Sequence, residues 1–430
     1  MGRRIAFNVT LLITSIFGIA SAYASTWGDV CFMFAALGFG VGGNLPVDGA
    51  LFLEFLPDAS SSLLTLLSVW WPIGQLVSSL FAWYFIANWP ADQGWRHFVM
   101  AIGVITFVMF LVRFFVFHLS ESPKFLLSQG RQAEAVAVVH GIAFRNGRKT
   151  WLTEEILDAV VDEDVDLNND DTSPSRQDHH PHHHHHRGSL PRKLSTANII
   201  TNSLADFSGK RIRPLFSTYT LGLTTALVWF CWATIGMGYP LFNAFLPQYL
   251  SHGHHHDSDS DTSSSSVAPA EKMITAETYR SYAITSLAGV PGSLLAAYTV
   301  DSRSPFLGRR GTLAISTLVS AVFLFLFVSL GSSSPSAQLF FGCVEAFAQN
   351  IMYGVLYAFT PEIFPAPVRG AGTGVASFLN RLTGLAAPIL AATIPGDGTT
   401  TPIYLSAALI LAAFVGVCAI PIETRGRQRL

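Results

Sequence analysis

The chain has 430 residues, 50% of them apolar and only 13% charged, with a formal net charge of -2. A soluble domain carries about 25% charged residues, so this balance excludes an ordinary soluble fold, and there is no basic surplus to favour a nucleic-acid partner. Thirty-three Phe and nine Trp accompany apolar runs longer than the roughly 20 residues that cross a bilayer. The expectation is an all-α polytopic membrane protein with the lipid bilayer as solvent.

Hydropathy places ten candidate spans in chain order: 5–25, 30–54, 62–87, 97–117, 215–238, 278–300, 311–331, 337–359, 369–391 and 402–422. Arg3 and Arg4 come directly after Met1-Gly2, and the next apolar run is too long for a cleavable leader. Lysine and arginine concentrate on one side: Arg3 and Arg4, the stretch 118–213, Arg303, Arg309, Arg310, then Arg425, Arg427 and Arg429. The opposite side holds Arg96, Lys272 and Arg280. This asymmetry in short loops puts both termini in the cytoplasm.

The stretch 118–213 divides the chain. Ala133 to Ala143 favours a helix, and Trp151 to Val161 mixes acids with apolar residues. Asp162 to Arg187 turns acidic and then histidine-rich; it lacks the apolar surface to offset ordering entropy and is expected to be disordered. Leu194 to Arg213 is basic, which suits an anionic cytoplasmic leaflet. The four cysteines (Cys31, Cys231, Cys343, Cys418) lie in separate apolar segments and read as free packing thiols.

Two motifs occur twice at nearly one spacing. Gly2-Arg3-Arg4 matches Gly308-Arg309-Arg310 at an offset of 306, and Glu54 with Pro57 matches Glu362 with Pro365 at 308. Shared offsets for two motifs indicate an internal repeat. In the second half two spans, 215–238 and 278–300, precede Gly308 but none precedes Gly2, so the expected parent architecture is six plus six spans with the first two absent here. Either a truncated gene model or a true loss of two helices would produce that pattern. The units expected are a partial bundle of four spans (1–117), a partly disordered cytoplasmic loop (118–213), a six-span bundle (214–422) and a tail (423–430).

Polar residues inside spans are costly and mark pathways. Asn44 and Asp48 lie in the second span, Glu345 and Asn350 in the eighth, and Gln75, Asn243, Asn380 and Arg381 complete the candidates for a solute or proton path. Plainer roles compete. Gln75 can bridge helices, Arg113 can snorkel to the interface, and Glu54 and Glu362 can be structural. Gly38, Gly40, Gly42 and Gly43, then Gly370, Gly372 and Gly374, suit close helix packing. Trp229, Trp232 and Tyr239 can stack on a ring or simply pack. The histidine tracts (His179 to His186; His252, His254, His255, His256) sit in low-complexity loops without fixed geometry, which favours filler over a metal site. No Walker-type loop supports ATP-driven pumping, and no nucleophile–base pair supports an enzyme; no cofactor is expected.

The repeated elements resemble those of major facilitator superfamily transporters, in the sugar-porter-like group close to the synaptic-vesicle-protein-related branch and its fungal relatives. Asp301-Ser302-Arg303 with Gly308-Arg309-Arg310 is similar to that family's loop motif, with four extra residues between aspartate and glycine. Glu121-Ser122-Pro123-Lys124 resembles the signature closing the first half, with Ser120 and Lys124 in place of its proline and arginine. Pro361-Glu362-Ile363-Phe364-Pro365 with Arg369-Gly370 matches the second-half signature. The resemblance implies a two-bundle fold and alternating access for a small organic solute, sugar-like or an organic ion, facilitative or proton-coupled through Asp48 or Glu345. It implies a gating role for Gly2, Arg3, Arg4, Glu54, Glu121, Asp301, Gly308, Arg309, Arg310, Glu362 and Arg369, in a monomer. A membrane sensor or scaffold that does not transport is the alternative.

Overall fold

The computed structural model describes residues 3–55, 62–116, 121, 123–128, 131–153, 155–156, 212–253, 276–302, 304, 307–331, 334–364, 368–393 and 400–424. The first half contributes α1 (Arg3–Ser21), α2 (Trp27–Phe55), α3 (Ser62–Leu66), α4 (Trp70–Asn88) and α5 (Ala91–Phe115). A single 3-10 turn, Leu67–Val69, joins α3 to α4 into one near-continuous rod. Two short helices follow, α6 (Pro123–Ser128) and α7 (Gln132–Arg145). The second half holds α8 (Tyr219–Gly253), α9 (Ala276–Val300), α10 (Arg309–Ser329), α11 (Pro335–Ile363), α12 (Arg369–Thr393) and α13 (Thr400–Ala419).

Eight of these rods are long and apolar enough to cross a bilayer, and Asn8–Ser21 and Trp27–Gly43 are shorter apolar helices. All ten expected spans are therefore helical, though their ends differ. α8 continues to Gly253 because backbone hydrogen bonding does not stop where hydropathy falls. Residues 151–153 are irregular rather than helical. The expected disordered segment, the first histidine tract, His254 to His256 of the second, Gly2 and Arg303 lie outside the described residues; His252 falls in the last turn of α8.

Packing in the two halves has different origins. α1 packs on α2 and α5 through small residues: a methyl added at Gly40 would come within 2.8 Å of the Thr14 backbone nitrogen. That spacing is what lets membrane helices approach closely. The second half is larger and interlocks around buried Trp232, Phe327, Phe359 and Phe364. The Trp232 indole cannot leave its N–H unpaired in such a core, and Nε1 donates to Thr360 Oγ1 at 2.8 Å. Large apolar side chains such as Phe114, Phe230 and Leu385 remain exposed on outward faces, as lipid contact requires.

Gly308 caps α10 with φ 104° and ψ -169°, a conformation that essentially only glycine adopts. Its N–H donates to Thr299 O at 3.4 Å, closing the short loop after α9. Gly308→Ala is expected to destabilise the protein by about 1–3 kcal/mol, measured as a lower melting temperature of the purified chain in detergent.

Candidate functional site

A cavity of about 590 Å³ lies where the two halves meet. Its walls are helix faces set by sequence spacing. Trp71, Gln75, Ser79 and Ala82 recur at three- and four-residue intervals along α4, and Gln349, Tyr353 and Tyr357 recur every four along α11, so each set shares one face. α9 adds Tyr279 and Tyr282, α8 adds Tyr239, and α12 adds Asn380. The lining is aromatic and amide-rich, and among the described residues no charged side chain belongs to it.

A hydrogen-bonded chain crosses from one half to the other. Gln75 Nε2 on α4 donates to the Tyr282 hydroxyl on α9 at 3.0 Å. Tyr282 donates in turn to Asn243 Oδ1 on α8 at 3.2 Å, and Asn243 Nδ2 donates to Tyr239 O at 3.1 Å. Gln75 and Asn243 were expected on the path from sequence; Tyr282, which joins them, was not. Aromatic contacts run beside this chain. Trp71 of α4 meets Tyr357 of α11 edge-on at 4.7 Å and 89°, and Tyr353 meets Tyr239 at 5.3 Å.

Behind the Tyr282–Asn350 wall is a second, smaller chamber of about 30 Å³, large enough for water. Glu345 lines it, 1% exposed, and accepts from Ser320 Oγ at 3.3 Å. Gln349 borders both chambers, and its Nε2 is buried without a protein acceptor among the described residues. A carboxyl and an amide nitrogen without an acceptor among the described residues thus face one small space.

The remaining candidates separate. Asn350 lines both chambers, with Nδ2 donating to Ala346 O at 2.8 Å. Arg381 Nη2 reaches across to Gly42 O of α2 at 3.4 Å. Asn44, Asp48 and Glu54 lie on α2, and Arg3 and Arg4 on α1, with side chains outside the described residues. Trp232 and Trp229 pack rather than line the cavity: Trp229 Nε1 donates to Gly372 O at 3.0 Å.

The signature residues gather at one end of the second half. Arg309 Nε lies 2.6 Å from Glu362 Oε2, both side chains nearly inaccessible at 5% and 4%. Thr424 Oγ1 donates to the same carboxylate oxygen at 3.2 Å, and Arg309 Nη1 donates to Thr424 O at 3.3 Å. The Arg310 N–H donates to Glu423 Oε2 at 3.1 Å, and Arg369 Nε to Phe364 O at 3.4 Å. This cluster joins α10, α11 and the segment after α13, all within one half. Asp301 sits in the loop before α10, and Glu121 just before α6.

The model of the major facilitator superfamily matches residues 1–306 and 228–430. The chain belongs to this superfamily. It is 39% identical over 440 residues to "MFS siderochrome iron transporter 1" of Ceriporiopsis subvermispora, covering all of this chain and 77% of that protein. The synaptic vesicle 2-related protein of Bos taurus is 26% identical, over 99% of this chain and 67% of the relative. Among solved structures, the proton:xylose symporter XylE of E. coli superposes with a TM-score of 0.63 at 15% identity, over 99% of this chain and 82% of that one. At that identity the likeness establishes the two-bundle helical fold. As a member of this superfamily, the chain is a multi-pass membrane protein of a transporter family.

Proposed function

We propose that this superfamily member carries a small organic solute across the membrane by alternating access, with the cavity between its halves as the solute site. The observation that carries this reading is the Gln75–Tyr282–Asn243 chain, a polar link between two bundles beside a chamber of solute size. In such transporters the halves rock around a central site, and a link that is made in one state and broken in the other biases the exchange between them. The units at 1–117, 118–213, 214–422 and 423–430 serve as first bundle, cytoplasmic loop, second bundle and tail, with both termini cytoplasmic by the charge asymmetry. Proton coupling through Glu345 or Asp48 fits the reading; XylE is itself titled a proton:xylose symporter.

Tyr282→Phe tests it directly. Loss of one hydroxyl leaves the Gln75 Nε2 and Asn243 Oδ1 of two half-buried amides without that partner, which costs about 1–3 kcal/mol. Uptake into proteoliposomes, screened with sugars, organic cations and organic anions, is expected to fall roughly 5- to 100-fold for the solute that wild type carries. A wild-type protein that is folded yet moves none of these solutes would reject transport. Unchanged kinetics in Tyr282→Phe would reject the link as part of the cycle.

A further inference from the structure

Gln75, Tyr282, Gln349 and Asn350 line both the large cavity and the small chamber that holds Glu345, so they partition one from the other. Two of them are fixed. Asn350 Nδ2 donates to Ala346 O at 2.8 Å and abuts α9 at Gly289, where an added methyl would meet it and lie 3.1 Å from Pro72 Cβ. Gln349 is buried in α11. Gln75 and Tyr282 are only half-buried, stand on helices of opposite halves, and meet through one 3.0 Å bond. That bond is the part of the partition that can open without unpacking a helix.

On the far side Glu345 is 1% exposed and accepts from Ser320 Oγ of α10 at 3.3 Å. Tyr239 of α8, Tyr282 of α9 and Tyr353 of α11 are the ionisable groups near enough to act on it. Among the described residues along its chamber none is basic. A carboxyl so placed exchanges protons through water: it gives its proton to an entering water, which leaves as hydronium, and regains one by the reverse step. The chamber has room for that water, so exchange is limited by what lets water in.

We propose that the Gln75–Tyr282 bond is a solute-operated door between the cavity and Glu345. A solute that takes either side chain as its own hydrogen-bond partner breaks the bond, and water from the cavity then reaches the carboxyl. Proton exchange is thereby tied to an occupied cavity, which keeps an empty carrier from leaking protons. This rests on the assignment of the inter-half cavity as the solute site.

Hydroxyl-radical labelling by pulsed X-ray radiolysis marks side chains beside water and reads the door in the purified full chain in detergent. Phe327 lines the small chamber and is 1% exposed; Phe359, fully buried and in neither chamber, is the control. Gln75→Ala and Tyr282→Phe are each expected to raise Phe327 oxidation roughly 3- to 10-fold with Phe359 unchanged, the change when an opening equilibrium loses one hydrogen bond. Where one variant fails to fold, the other carries the comparison. Glucose, choline and benzoate stand for the three solute classes of the uptake screen, and the one that wild type carries should raise Phe327 oxidation in wild type. In proteoliposomes without solute, both variants should dissipate an imposed pH gradient about threefold or more faster than wild type. Adding Glu345→Gln to Gln75→Ala should remove that excess. Wild-type Phe327 oxidation in a folded variant, no effect of a carried probe, no added leak, or a leak that survives Glu345→Gln overturns the proposal. The variant measurements need no solute uptake, which separates the two readings. Wild type that carries nothing, with variants that gain water and leak through Glu345, rejects transport and keeps the door; uptake by wild type with Phe327 unchanged in the variants does the reverse.

Discussion

Glu345→Gln is expected to abolish pH-gradient-driven accumulation while leaving solute exchange intact. Glu345 is the one carboxylate among the described residues that borders the chambers at the centre of the protein. A buried carboxylate without a counter-charge is costly, and here the partner is a neutral hydroxyl, Ser320. Such a group can change protonation only when the surroundings open to water, which is what a coupling residue must do once per cycle. Gln349, whose Nε2 has no acceptor among the described residues and which lines both chambers, borders the space through which water would arrive. Glutamine keeps the volume and the bond from Ser320 but cannot carry the proton. Proteoliposomes loaded at high pH and diluted into low pH should accumulate solute through wild type and only equilibrate it through Glu345→Gln. The expected loss is about tenfold or more in the accumulation ratio, each tenfold corresponding to about 1.4 kcal/mol of coupling. Full accumulation by Glu345→Gln would move the coupling role to Asp48, where Asp48→Asn is the next variant to measure.

Hydropathy was enough to find all ten rods, because crossing hydrocarbon demands a long apolar helix whatever its partners. It misplaced the end of α8, which continues past residue 238 to Gly253. The single polar residues Gln75, Asn243, Glu345 and Asn350 stood out for the same reason that hydropathy worked. What joined them was invisible. Gln75 and Tyr282 are 207 positions apart, and no periodicity within one helix reveals which face of another it meets. Tyr282, Trp71, Tyr353 and Tyr357 carried no signal because aromatic residues are common in spans as lipid-facing or interfacial groups. The repeat showed that Arg309 and Glu362 matter together with their first-half mates. It did not show which group the arginine meets. The helix ends settle that, by bringing the start of α10 and the end of α11 together beside Thr424.

The Arg309–Glu362 pair should therefore be worth more to folding than to gating. Both side chains are withdrawn from solvent, and both lie in the second half, so the contact can persist while the halves move past each other. Removing one partner of a buried pair costs about 3–5 kcal/mol, because the other charge is stranded. Arg309→Glu or Glu362→Arg alone places two like charges within contact and should sharply reduce the melting temperature and the yield of monodisperse protein. The double variant Arg309→Glu with Glu362→Arg restores opposite charges but sets a carboxylate against the Thr424 carbonyl, which now accepts from Arg309 Nη1 at 3.3 Å. Recovery should therefore be partial, with a melting temperature above both singles and below wild type. A double variant no more stable than the singles would show that geometry, rather than charge pairing, dominates at this site. Full stability with transport still lost would return the pair to the gating role that its motif implies, because the charges would then be interchangeable for folding and not for the cycle.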